Sequence, residues 1–200
     1  MSAGDNQEKL EQFNEFFTIE HQFNVNIARL ENNQLGGYQN FIDNMPIPFK
    51  MAGDMSALDQ AALRPLQALS GIAGQLVDYL NHQAQKIDLL MGYILSQQDE
   101  QTIRFQGTSF GGGGITFISD EAFALADIVE LKIFIQTEQC AVYCYGEIIE
   151  LSEQEGQFVH KVIFHFIRDD DREILVRASL HKQSKQLQEL AQQRRQSEES

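Results

Sequence analysis

Two hydrophobic periods divide this chain. From Phe16 to Leu30 the text FFTIEHQFNVNIARL alternates, with Phe23, Val25 and Ile27 on one side, and predicts a first strand. Residues 1 to 12 are polar and read as a frayed or weakly helical lead-in. Residues 31 to 54 contain Gly36-Gly37 and the prolines Pro46 and Pro48, and are expected to form a connecting loop. Then the period changes. Apolar residues recur at Leu66, Ala73, Leu80, Ile87 and Ile94, and at Leu69, Leu76 and Leu90, with Gln83 completing the second series. These are the a and d positions of consecutive heptads, the signature of a helix with a seam for other helices. Pro65 fits its first turn, Ser56 to Leu63 predicts a short helix before it, and a helix from Leu66 to Gln97 would be about 48 Å long.

From residue 101 to 167 the period returns to two, in runs separated by turn residues: TIRFQ, SFGGGG, ITFIS, IVELKIFIQ, CAVYCYGEIIEL and QFVHKVIFHFI. This predicts an antiparallel sheet or barrel. In the fourth run Val129, Leu131, Ile133 and Ile135 share a core face, while Glu130, Lys132 and Gln136 share a face expected to be at least partly wet. A final helix starts at Asp169–Asp171, assigned to capping, and carries Lys185, Arg194 and Arg195 toward its far end, which suits the helix dipole.

Composition narrows the function classes. The formal charge of -14, with only 15 basic residues and no basic stripe outside the C-terminus, argues against nucleic acid. No leader and no membrane-spanning apolar run is visible, so the protein is expected to be cytoplasmic with no membrane insertion. Cys140 and Cys144 lie on one strand about 13 Å apart, too far for a disulfide, and read as free packed thiols. His160 and His165 point to opposite faces of their strand and form no acid/base or metal pair there. The four glycines from Gly111 lack the Lys-Ser/Thr and the helix of a phosphate loop and read as a flexible inter-strand turn.

The run SFGGGGITF from Ser109 to Phe117, followed some fifty residues later by FIRDDDREIL, resembles the PilZ domain family over roughly residues 100 to 190. The resemblance implies an α+β fold: an antiparallel β-barrel, the heptad helix inserted after its first strand, and a C-terminal helix. The division expected is 1–30 lead-in and first strand, 31–54 loop, 55–98 helical oligomerisation insertion, 99–195 barrel and C-terminal helix, and 196–200 tail. In that family two arginines of an R-x-x-x-R motif grip cyclic-di-GMP, and a D/N-x-S-x-x-G motif adds hydrogen bonds. Aligned without gaps, the arginine positions hold Asn14 and Thr18, the acid/amide position Ser109, the serine position Gly111, and Gly114 alone is kept. An amide and a hydroxyl do not replace guanidinium groups at a dianionic ligand.

The expectation is therefore a non-enzymatic, atypical PilZ protein with no cofactor. It assembles as a dimer or tetramer through Leu66, Leu69, Ala73, Leu76, Leu80, Gln83, Ile87, Leu90 and Ile94, and it binds other signalling or motility proteins through the barrel's outer face or the Gly111 to Gly114 edge. The alternative is a cyclic-di-GMP receptor with non-standard contacts, in which Arg104, near the motif face, supplies a cation.

Overall fold

The computed structural model describes residues 3–30, 35–63, 72–138 and 140–198. Six strands close into a barrel: β1 (Thr18–Arg29), β2 (Arg104–Gly111), β3 (Gly114–Ser119), β4 (Ile128–Ile135), β5 (Cys140–Gln154) and β6 (Gln157–Phe166). Every neighbouring pair is antiparallel, and the order around the barrel is β1-β2-β3-β6-β5-β4. The period-two pattern explains the closure. Residues of one parity, such as Val25, Ile27, Leu131, Ile133, Val142, Cys144 and Val162, fill a single interior core. The β5–β6 hairpin turns through Glu155 (φ 53°) and Gly156 (φ 82°), the left-handed pair that matches strand twist.

Among the described residues five α-helices flank the barrel: α1 (Ala3–Asn14), α2 (Tyr38–Asn44), α3 (Ile47–Leu63), α4 (Ile72–Ser96) and α5 (Asp169–Glu198). Residues 3 to 14 form a helix, the second of the two readings of the lead-in, and the strand starts at Thr18 instead of Phe16. The loop expected over residues 31 to 54 is also corrected, since it holds α2 and the first half of α3. The prolines start α3 instead of preventing it. Pro46 precedes it and its carbonyl accepts from the backbone N–H of Phe49 and Lys50 (3.0 and 3.2 Å), while Pro48 occupies the first turn, where no partner for its nitrogen is needed. Ser56 to Leu63 is the second half of the same helix.

These helices make a second core on the outside of the barrel. Phe41 stacks on Tyr143 with centroids 5.7 Å apart and 15° between planes, and Phe49, Met91 and Leu95 join Phe134, Tyr143 and Tyr145. The outer face of β4 is accordingly only partly wet, as expected, with Gln136 exposed and Glu130 half-buried while the helices cover its middle. Lys132 is 9% exposed and pairs with Glu100 at 2.7 Å, and Phe134 is buried. Burying Phe41 and Phe49 contributes about 2 to 3 kcal/mol each, which is what ties the inserted helices to the barrel.

The heptad series falls mainly on α4, whose described 25 residues span about 37 Å. Pro65, Leu66 and Leu69 lie outside the described residues, and Ala73 is in the first turn of α4. α4 faces the barrel with Met91 and Leu95, which are not heptad core positions. The a/d residues Leu76, Leu80, Ile87, Leu90 and Ile94 all point to solvent, with Tyr79 and Tyr93 widening the same exposed face.

Candidate functional site

The motif positions converge at one edge of the barrel. Register pairing sets Thr18 opposite Gly111 and Glu20 opposite Ser109 across β1 and β2, and sets Gly114 opposite Ile163 across β3 and β6. Asn14 is the exposed last residue of α1. Glycine is required at this edge by close backbone approach: a Cβ on Gly111 would run into the carbonyl oxygen of Phe17, and one on Gly114 into that of Val162.

The chain itself fills this edge. Phe13, 4% exposed, packs over Gly113 and Gly114 and joins Ile149 and Ile163 in a small core with Leu10 beneath α1. A Cβ on Gly112 would stand 2.6 Å from the Phe16 ring and 2.8 Å from Val176. From α5, the Arg172 guanidinium lies 5.3 Å from the Phe16 ring centroid and donates to the Gly112 carbonyl. Lys161 sits 5.4 Å from the centroid of Phe13 and is neutralised by Glu150 at 2.6 Å. The Gly113 carbonyl accepts from the N–H of Phe164 at 2.9 Å. The four glycines are therefore a buried, packed turn instead of a flexible one, and the edge is not an open contact surface.

Arg104 is elsewhere. It starts β2 opposite Asn26, seven residues and roughly 23 Å of strand from Gly111, so the expectation that it lies near the motif face is corrected. Its Nε donates to Asp99 at 2.8 Å, and the same carboxylate accepts from Asn24 (2.9 Å) and Asn26 (3.0 Å). This network closes the junction between α4 and β2.

The acidic start of α5 also divides. Asp169 and Asp170 are exposed, as a cap requires, but Asp171 is buried and takes both oxygens to Arg168 (2.7 and 3.0 Å). Burial pushes its carboxyl upward against the pull of that guanidinium. Arg168 in turn donates to the carbonyl of Phe49 at 2.9 Å, linking α5 to α3.

A cleft of about 510 Å³ opens between α3, α4, the start of β5 and α5, lined by Met91, Leu95, Cys140, Ile174 and Arg177 among others. Burial pushes the Cys140 thiol up to about 12, so it stays protonated at neutral pH and is a poor nucleophile. Cys140 and Cys144 are both free. Among the described residues no group of three or more His, Cys, Asp or Glu side chains is arranged to hold a metal ion, and no helix is long and apolar enough to cross a membrane.

Reading the sequence alone missed Phe13, Phe16 and Arg172. A signal existed for Phe13, because Leu10 and Phe13, three apart on an otherwise polar helix, mark a buried stripe. Nothing local marked the pairing with Arg172, which is more than 150 residues away.

No family model matches the sequence, and no curated protein matches it. Among solved structures, the chain is similar to a pathogenic protein from Xanthomonas campestris, described as a tetrameric PilZ domain self-assembled via an unusual helical bundle. That likeness is 13% identical with a TM-score of 0.52, and covers 89% of this chain and 96% of the other. The PilZ domain of YcgR from Escherichia coli, solved with c-di-GMP, is 12% identical over 44% of this chain and 77% of its own, with a TM-score of 0.38. The inhibitor of motility MotI/DgrA from Bacillus subtilis is 15% identical over 43% of this chain and 44% of its own, with a TM-score of 0.40. The barrel, the helices inserted after its first strand and the C-terminal helix make this a PilZ-like fold.

Proposed function

We propose that this protein is a non-enzymatic, oligomeric PilZ-fold component of cyclic-di-GMP signalling that works in the cytoplasm by protein contacts and does not bind the nucleotide. One observation carries the reading: the motif edge is filled by Phe13, Phe16 and Arg172 of the same chain, and the two arginine positions hold Asn14 and Thr18. A planar dianion would have to displace a buried phenylalanine and would meet no free guanidinium. The receptor alternative built on Arg104 is disfavoured by its ion pair with Asp99 and its position at the far end of β2.

Assembly is supported by the solvent-facing stripe on α4, where Leu90 is 65% and Leu76 59% exposed. A contiguous apolar stripe of this length is unusual on a monomer surface. The Xanthomonas campestris neighbour, described as tetrameric through a helical bundle, agrees with it.

The test is isothermal titration of the full chain with cyclic-di-GMP at low ionic strength, where a weak electrostatic site is most visible. The expected result is no heat at millimolar ligand. Binding in the micromolar range or tighter would overturn the proposal and make the chain a receptor.

A further inference from the structure

The exposed stripe on α4 has a counterpart on α5. From Ser184 to Gln193 every residue of α5 is exposed, and Leu187 is 60% exposed. Its contact with the barrel is slight, a 3.5 Å hydrogen bond from Gln186 Nε2 to the Glu20 carbonyl, and a helical segment of that length is marginal by itself in water. It nevertheless carries a stripe. Leu180, Leu187 and Leu190 share one helical face, with Gln183 between the first two. Written as heptad positions this is Leu, Gln, Leu, Leu at a, d, a, d.

α4 carries the same series at the same spacing: Leu80, Gln83, Ile87 and Leu90. A glutamine in an otherwise apolar seam is a register device, because its amide needs a polar partner in the same layer. Set side by side in parallel, the two series coincide layer for layer, and Gln83 falls opposite Gln183. Their flanks differ in sign. Along α4 two acids, Asp78 and Asp88, stand against one base, Lys86; along α5 from residue 180 to 193 two bases, Lys182 and Lys185, stand against one acid, Glu189. Two copies of distal α5 would repel, whereas α4 against α5 attracts. Within one chain both sets of leucine and isoleucine side chains are exposed, so they do not pair there.

We propose that distal α5 is the second helix of the assembly seam, packing in parallel on α4 of another copy of this chain so that Gln83 and Gln183 share a layer. The inference rests on the reading that α4 mediates assembly and adds its partner. It also accounts for the length of α5, on which the buried Leu175, Ala178 and Ser179 all lie in the first three turns.

Two experiments separate the claims. In the first, Ile87→Lys/Leu90→Lys and Leu187→Lys/Leu190→Lys are compared by sedimentation equilibrium, with circular dichroism to confirm the folded barrel; all four positions are on the surface. The proposal expects both variants to lose subunits. Dissociation by the α4 variant alone would overturn the role of α5 and leave assembly through α4 standing, and an unchanged mass for both would remove the two readings together. In the second, a tagged Gln83→Cys chain and an untagged Gln183→Cys chain are produced together and oxidised. A covalent dimer containing one tagged and one untagged chain is expected, absent when either substitution is omitted. Cross-links confined to like chains would overturn the α4 to α5 pairing.

Discussion

The backbone N–H of Phe123 donates to Nε2 of His160 at 3.0 Å, inside the barrel. The imidazole is fully buried, stacked on Phe117 with centroids 4.6 Å apart, and edge-on to Phe123. The Phe123 ring, with the Arg29 guanidinium 4.5 Å from its centroid on the outer side, plugs this end of the barrel. Because Nε2 accepts, Nδ1 carries the ring proton, and a second proton would set N–H against N–H.

Burial, with a contribution from Arg29, lowers the His160 pKa, while nearby backbone groups of Phe158 and Phe117 partly offset it. A base whose folded pKa is depressed binds more protons when unfolded. Its stability contribution is thus complete above the unfolded value near 6.5 and is lost as pH falls from there toward the folded value. Urea midpoints should drop between pH 7 and 5, and His160→Phe, which keeps the stack and cannot titrate, should flatten that slope. An unaltered slope would show that another group sets the acid response.

Phe13→Ala removes a buried ring from the core under α1 and leaves a hole over Gly113 and Gly114. A loss of about 3 to 5 kcal/mol is expected by denaturant titration. Cyclic-di-GMP should still give no heat with this variant, because opening the edge does not supply the missing guanidinium groups. Binding gained on opening would show that the edge is masked instead of degenerate.

Asp171→Asn leaves Arg168, itself largely buried, without its charge partner. Removing one member of such a pair destabilises by about 3 to 5 kcal/mol. Since Arg168 also holds the Phe49 carbonyl, α3 should loosen, seen as faster amide exchange at Lys50 and Met51, whereas Asp170→Asn, at an exposed position, should change stability by less than about 0.5 kcal/mol.

Gly114→Ala places a methyl group against the Val162 carbonyl, a backbone atom fixed by the β3–β6 ladder. Forcing extra volume into such a contact costs about 1 to 3 kcal/mol. Gly37→Ala, where a Cβ meets nothing within 4 Å, is the matched control and should be tolerated.

What the sequence by itself determined is what depends on near neighbours along the chain. The period-two runs marked the strands because one parity must be apolar to fill a barrel, as Leu131 and Ile133 do, although TIRFQ and the start of SFGGGG join into the single strand β2. The heptads marked a helix. Only the tertiary structure decided what covers each surface. The outer face of β4 reads as at least partly wet because Glu130 and Lys132 alternate with core residues, and Gln136 is indeed exposed, but that α2, α3 and α4 cover the middle of the face through Phe41, Phe49 and Met91 was not legible in the sequence. The prolines at 46 and 48 read as breakers because their effect depends on whether a helix starts there, and that start is settled by Phe41 and Phe49 docking on Tyr143. The heptad stripe and the face α4 turns to the barrel differ for the same reason: periodicity shows which residues of a helix share a side, and packing alone chooses the partner for that side.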